Sequence, residues 1–305
     1  MKMNPASRES DGVVSRLKES SSNRRSEFRR TLLAIQRSKS TIVGIVLTAV
    51  FLFIALFAPC LAPHDPLKGN LANRLAPPSV VHPLGTDSTG RDLLSRIIYG
   101  ARTSMWIGLT ATGAAMVSGV FLGMMSAFYG GAFEMLGMRL VDILLTFPSL
   151  ILAIALASVL GMGRTNVIIA VAVSMFPVFA RLARSTVLAV KGNEYVMAAQ
   201  AVGVQDWRLM TRHLLPNSWG PIIVQATLGI GMAVLAAASL SFLGIGVQPP
   251  EAEWGSMLSQ ARQYIRYAPH FIAFPGATLA LFVLGFNLLG DGLRDLLDPR
   301  LRGEA

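Results

Sequence analysis

The sequence predicts an all-α polytopic membrane protein with six transmembrane helices, and three observations carry the prediction. Hydrophobic residues make up 52% of the 305-residue chain and charged residues 14%, against roughly 25% charged in an average soluble domain. Residues 40–63, 103–133, 143–163, 213–250 and 267–290 contain no Asp, Glu, Lys or Arg, and 165–180 is a shorter run of the same kind. Crossing the hydrocarbon core takes roughly 20 mostly apolar residues, so five runs qualify by length. Finally, Lys and Arg fall unequally on alternate connections, the usual mark of a threaded membrane protein.

Taken in order, the first 40 residues hold ten basic and four acidic side chains in a Ser-rich stretch without a periodic apolar face. Residues 1–39 are therefore expected to form a disordered tail held near anionic membrane lipid, not a nucleic-acid contact. The first span is placed at 41–62, within the segment 40–63. The string LFAPC at 56–60 looks faintly like a lipoprotein cleavage box, but Pro59 stands where that box wants a small residue other than proline. The long polar stretch ahead of the run also argues against a cleaved signal peptide, so this span is expected to remain as an anchor. Cys60 is the single cysteine and cannot form a disulfide within the chain.

Residues 64–102 form an extracytoplasmic segment. In its last part Leu93, Leu94, Ile97, Ile98 and Ala101 make an apolar stripe opposite Arg91, Asp92 and Arg96. That pattern, with Thr89-x-x-Asp92 as a capping box, predicts an interfacial helix over 90–102. A transmembrane core follows over 103–291, with spans at 104–129, 140–160, 167–189, 220–245 and 270–290. The fourth span contains Arg181 and Arg184, close enough to its end for the guanidinium groups to reach the headgroups. Gly119-x-x-x-Gly123 and Ala236, Ala237 and Ala238 have the small side chains that let helices approach closely in lipid. Residues 292–305 are the C-terminal segment, where Asp291 and Gly292 open a short helix with Leu293, Leu296 and Leu297 inward and Pro299 ends it.

An even number of spans puts both termini on one side. That side carries 19 of the 27 basic residues and the other carries 8, so both termini are expected in the cytoplasm. The span interiors hold almost no carboxylate or histidine, which disfavours a proton-driven transporter. No HExxH, GxSxG or spaced Cys/His set is present, and His64, His82, His213 and His270 fall in connections or at span ends. No catalytic centre is expected. None of the five lysines follows a glycine, so the chain has no phosphate-binding loop of its own. If transport is powered by ATP, the motor is a separate polypeptide.

The connection 190–218 is the segment richest in signals. Tyr195, Ala198, Ala199 and Val202 recur at i, i+3, i+4 and i+7, the spacing of one helix face. Gly203 fits the left-handed position that closes a helix, with Val204 beside it. Asp206 is placed to cap a second helix running through His213 to Leu215, which Pro216 would stop. The result is a helix, a sharp turn and a helix, with Ala198 and Ala199 on a smooth face suited to a groove in a partner.

These residues resemble the EAA motif of bacterial ABC importer permeases. Ala198, Ala199, Gly203, His213, Leu215 and Pro216 stand at motif positions, and Met197 departs from it by replacing the motif's Glu and any salt bridge that Glu would make. LFAPCLAPHDP (56–66), HPLGTDSTGRDLLSRIIYGARTS (82–104) and FNLLGDGLRDLLDPRLR (286–302) are similar to segments of the C-type permease subunits of dipeptide, oligopeptide and nickel importers. The resemblance, covering about 28–302, implies the type I ABC importer permease fold in a bacterial plasma (inner) membrane. It implies no enzymatic activity and no cofactor on this chain, with ATP and Mg bound by partner ATPases. The implied partners are a second homologous permease, two ATP-binding subunits on the coupling loop, and an extracytoplasmic substrate-binding protein. The implied cargo is a peptide, or a nickel chelate or glutathione-like solute, moved by alternating access. The competing readings are a stand-alone secondary transporter or channel, which would not need ATP, and a scaffold or sensor that moves nothing. The sequence singles out no translocation path: Gln225, Ser239, Ser241 and Asn287 could face a pore or bond between helices.

Overall fold

The structure, a computed structural model, describes residues 38–297. Residues 1–37 of the expected disordered tail and the stop at Pro299 lie outside the described residues, while Ser38 and Lys39 cap and begin the first helix. The elements are α1 (Lys39–Leu56), α2 (Ala58–Leu61), α3 (Leu93–Tyr129), α4 (Gly131–Leu145), α5 (Ser149–Leu160), α6 (Arg164–Lys191), α7 (Glu194–Ala201), α8 (Asp206–Leu209), α9 (Leu215–Phe242), α10 (Trp254–Ala261) and α11 (Pro269–Leu297). No strand is present among the described residues. Five helical stretches are long and apolar enough to cross a membrane: α1, α3, α6, α8 with α9, and α11.

The sixth span differs from expectation. Residues 140–160 are not one helix but belong to α4 and α5, which meet at a 91° bend. Pro148 explains the break: its ring disfavours helical backbone at Phe147, and Pro148 itself, at ψ 131°, starts α5 from an extended conformation. At 12 residues, α5 rises only about 18 Å, so a sixth crossing requires α4 and α5 together. The first span is also shorter than expected. It ends at Leu56, and Phe57 and Pro59 turn the chain into α2.

The long helices pack as a bundle. The most extensive seam joins α3 to α6, α9 lies against α3, α6 and α11, and α1 packs on α11. Gly119 and Gly123 form the centre of the α3–α6 seam. A Cβ added at Gly119 would stand 2.8 Å from the Phe176 carbonyl oxygen and 2.9 Å from the Ala180 nitrogen, so the small-residue spacing serves close backbone approach.

Arg181 and Arg184 find carboxylates on α4 rather than only headgroups. Arg181 bonds Asp142 at 2.7 Å, and the Arg184 Nε bonds Glu134 at 2.6 Å. The acidic residues of α4 thus lie along the basic face of α6.

Residues 90–102, expected as a separate interfacial helix, are a turn followed by the first part of α3, which runs unbroken for 37 residues. The side chains opposite the apolar stripe are buried and do not form a solvated face: Arg91, Asp92 and Arg96 are all covered. The N-cap is Asp92 itself, accepting from the Ser95 N–H, and Thr89 instead bonds Asp87. Asp87 holds this end together. Its carboxylate accepts from the Thr89 and Arg91 backbone N–H groups and from Arg91 Nε, at 2.8–2.9 Å, and it lies 3.4 Å from Arg96 Nε. Arg96 then donates to the carbonyls of Pro66 and Pro250, tying two distant connections to the start of α3. Asp87→Ala would leave two buried guanidinium groups without their counter-charge, at a cost of about 3–5 kcal/mol. The expected outcome is a marked fall in the thermal midpoint of the detergent-solubilised protein.

Beside this network, α10 dips into the bundle. Trp254 is fully buried, donates its indole N–H to the Ile97 carbonyl at 3.1 Å, and meets Phe51 and Phe282 edge-on. Glu253 caps α10 through the N–H groups of Gly255 and Ser256. Burial raises its pKa, and those two backbone bonds oppose the rise.

At the other terminus, residues 291–297 do not open a separate short helix. They are the last turns of α11; Gly292 packs against Thr41 of α1, and Leu297 is exposed rather than inward.

Candidate functional site

The connection 190–218 sits at the end of the bundle opposite the Asp87 network, joined on both sides to long helices. On one side α6 ends at Lys191, whose ammonium donates to the Ala127 and Phe128 carbonyls at 3.1 and 2.7 Å. A cation on the last carbonyls of α3 is favoured by the helix dipole, and it locks the lower ends of α3 and α6 together. Only Gly192 and Asn193 separate Lys191 from α7.

Glu194–Ala201 is helical, as the spacing predicts, and it is anchored on the bundle through Val196, which the spacing did not mark. Val196 is fully buried against Met124, Phe128, Val187, Leu209, Met210 and Leu214, with Ala199 and Val204 packed at the edge. Ala198 is exposed and Ala199 half-buried. The open face carries Ala198 together with Tyr195, Met197, Val202 and Trp207, the last two 79% and 64% exposed. Sequence reading missed Val196 and Trp207. An apolar residue at 196 breaks the i, i+3, i+4 pattern, and Trp207 carries no periodic signal in a four-residue helix.

Gly203 closes α7 in the left-handed region at φ +79°. Its N–H bonds the Gln200 carbonyl, and the Val204 N–H reaches back to Ala199 at 3.2 Å, the paired bonds of a Schellman turn. Val204 makes the apolar contact that accompanies such a turn.

Asp206 is the first residue of α8, not its cap; Gln205 holds the cap position without a side-chain bond. The carboxylate therefore acts on the helix N-terminus by charge alone. Pro216 does not stop the helix. Between Met210 and Leu214 the backbone widens into a π turn in which the Leu215 N–H bonds the Met210 carbonyl, and α9 continues from Leu215 with Pro216 in its first turn. The wider turn accommodates a proline that lacks an N–H and would crowd the carbonyl four residues back. His213 lies in this turn with its ring 6.5 Å from that of Tyr195. Leu215 is half-buried on the Val196 cluster.

The connection is a short helix and a tight turn displaying large apolar side chains, braced on the spans at both ends, without a nucleophile or general base arranged for reaction. The apolar spans that carry it make the chain a multi-pass membrane protein.

The chain belongs to the binding-protein-dependent transport system inner membrane component family, whose pattern matches residues 119–303. Residues 26–78 match the N-terminal transmembrane domain of oligopeptide transport permease C. The chain is 47% identical to the dipeptide transport permease DppC of Alkalihalophilus pseudofirmus, over 91% of each chain. It is 44% identical to the probable D,D-dipeptide permease DdpC of Escherichia coli, covering 88% of this chain and 91% of that one. It is 42% identical to the glutathione permease GsiD of Pectobacterium atrosepticum, covering 90% and 91%. Among solved structures, the inward-facing methionine ABC transporter MetNI superposes with a TM-score of 0.54 at 19% identity, over 68% of this chain and 96% of that chain. An amino acid ABC transporter gives 0.51 at 17%, over 66% and 94%. The fold is that of ABC importer permeases. The chain is a multi-pass membrane permease subunit of an ABC importer and not an enzyme, the ATPase being a separate subunit.

Proposed function

We propose that this chain forms half of a peptide-translocating pore in a bacterial plasma membrane, paired with a second permease, with its 190–218 loop and both termini in the cytoplasm. Two ATPase subunits carrying ATP and Mg bind the two loops, and an extracytoplasmic binding protein delivers the peptide at the Asp87 end. The observation that carries the reading is the loop itself: Tyr195, Met197, Ala198, Val202 and Trp207 form an exposed face around Gly203, and the loop is rooted in α6 and continuous with α9.

Closure of the ATPases on ATP moves this braced face as one piece. Because α6 and α9 both pack on α3, displacement at the loop reorients the core spans together, turning an inward-open pore outward. Peptide enters from its binding protein, and hydrolysis resets the pore. The names of the relatives support peptides as cargo, including short dipeptides and glutathione.

Trp207→Glu tests the docking face, since a carboxylate there must be desolvated on binding. Tagged wild-type chain extracted in mild detergent is expected to bring down two ATPases and a second permease, while the variant inserts normally and recovers at least tenfold less ATPase. Equal recovery from both, or uptake that persists after ATP depletion, would overturn the proposal.

A further inference from the structure

At the end of the bundle away from the loop, three side chains that are far apart in sequence converge: His64, His82 and Asp92. One potential ligand atom from each lies within 4.8 Å of the others. His82 Nδ1 is 2.9 Å from Asp92 Oδ1, and His64 Nδ1 is 3.8 Å from the same oxygen. The two imidazole rings lie 4.9 Å apart, centre to centre. We propose that His64, His82 and Asp92 form a binding site for a divalent transition-metal ion, of which Zn²⁺ is the best-matched example.

The donor set points to this ion class. Two imidazoles and one carboxylate suit borderline metals such as Zn²⁺, and three protein ligands leave a fourth position open to water. At metal–ligand distances of about 2.0–2.2 Å, tetrahedral ligand atoms stand about 3.3–3.5 Å apart. The two measured pairs straddle that spacing, so a modest rotation of the two imidazoles would complete the geometry.

The carboxylate is already oriented by a second shell. Asp92 Oδ2 accepts from the Ser95 N–H at 2.8 Å and from the Ser95 hydroxyl at 2.7 Å, which turns Oδ1 toward the histidines. The His64 backbone N–H donates to the same Ser95 hydroxyl at 3.0 Å, fixing the residue that carries the second imidazole. Supporting bonds of this kind are what orient ligands in protein metal sites. Accessibility is graded across the set: the side chains of Asp92, His82 and His64 are 1%, 15% and 38% exposed. An ion would therefore be held against the buried carboxylate and enter past His64.

A bound ion would fasten the connection between α2 and α3 to the first turn of α3, beside the Asp87 network. The site does not depend on what the permease carries.

The full-length protein, purified in detergent on a histidine-free tag and stripped with chelator, tests this directly. Zn²⁺ titration by calorimetry, with Co²⁺ absorption as a second readout, is expected to give one saturable site per chain. His64→Ala should weaken it at least tenfold. His82→Asn keeps a donor for Asp92 while removing the imidazole, so it should abolish binding without lowering the metal-free thermal midpoint. Failure of the wild type to bind, or equal binding by a His64→Ala/His82→Asn double variant, would overturn the assignment and leave the His82–Asp92 pair as a structural hydrogen bond.

Discussion

Gly203→Val is expected to abolish ATP-dependent peptide uptake while leaving expression and membrane insertion intact. At φ +79° a residue with a Cβ pays about 1–2 kcal/mol for the left-handed backbone, and a β-branched one tolerates it least. No atom lies within 4 Å of a Cβ built there, so the effect is conformational rather than a clash. The cheapest relief is to unwind the Schellman turn, breaking the bonds to Gln200 and Ala199 and turning Val202 and Trp207 away from one shared face. The strain is small against the stability of the bundle but acts wholly on the exposed face proposed to dock. Asn accepts left-handed backbone more readily than other residues with a Cβ, so uptake should rank Gly and Asn above Ala, and Ala above Val. The measurement is uptake of a labelled dipeptide in cells normalised to permease level, with ATPase activity of the purified complex alongside. Normal uptake by the valine variant would remove the loop turn from the coupling path.

Gly123→Leu is expected to cost the fold itself. A Cβ at Gly123 would meet the Ala180 carbonyl oxygen, and lies 2.9 Å from both the Ala183 Cβ and the Arg184 nitrogen. These obstacles are mainly backbone, which cannot swing aside. Overpacking ordinarily costs about 1–3 kcal/mol, and the full leucine must also part α3 from α6 along the longest seam in the bundle. The Arg184–Glu134 pair and the Lys191 bonds to the end of α3 lie just beyond and would be pulled out of register. Size-exclusion chromatography should show aggregate in place of a monodisperse peak. Gly113→Ala is the matched control on the same helix, because nothing stands within 4 Å of its Cβ. Comparable loss in both variants would mean that α3 is sensitive to any added methyl group and that the seam is not special.

The chemistry most easily read from the chain was that of local preference. Gly203 in a left-handed position needs only its place after a helical stretch, and the packing at Gly119 and Gly123 needs only their spacing. Other features required knowledge of what stands across the gap. Arg181 and Arg184 read as groups reaching for headgroups, but Asp142 and Glu134 on α4 meet them across the gap to α6. Pro216 reads as a terminator, yet a π turn ahead of it lets the helix continue into α9. Arg91, Asp92 and Arg96 read as a solvated face, whereas the connections at Pro66 and Pro250 close over them. His64, His82 and Asp92 are separated by 18 and 10 residues, too far for any motif, and only the folding of the α2–α3 connection onto α3 brings them together.

Sequence by itself determined that the chain lives in a membrane, how many apolar stretches it has, and where the helix, left-handed turn and helix of the 190–218 connection lie. Those properties follow from hydrophobicity and backbone preference, which act residue by residue and so survive in a one-dimensional record. Tertiary structure alone decided which residue anchors the loop, how the α4–α5 segment bends, and which buried charges are paired. Each of these is a contact between segments remote in the chain, and the energy of burying a group depends on the neighbour that covers it.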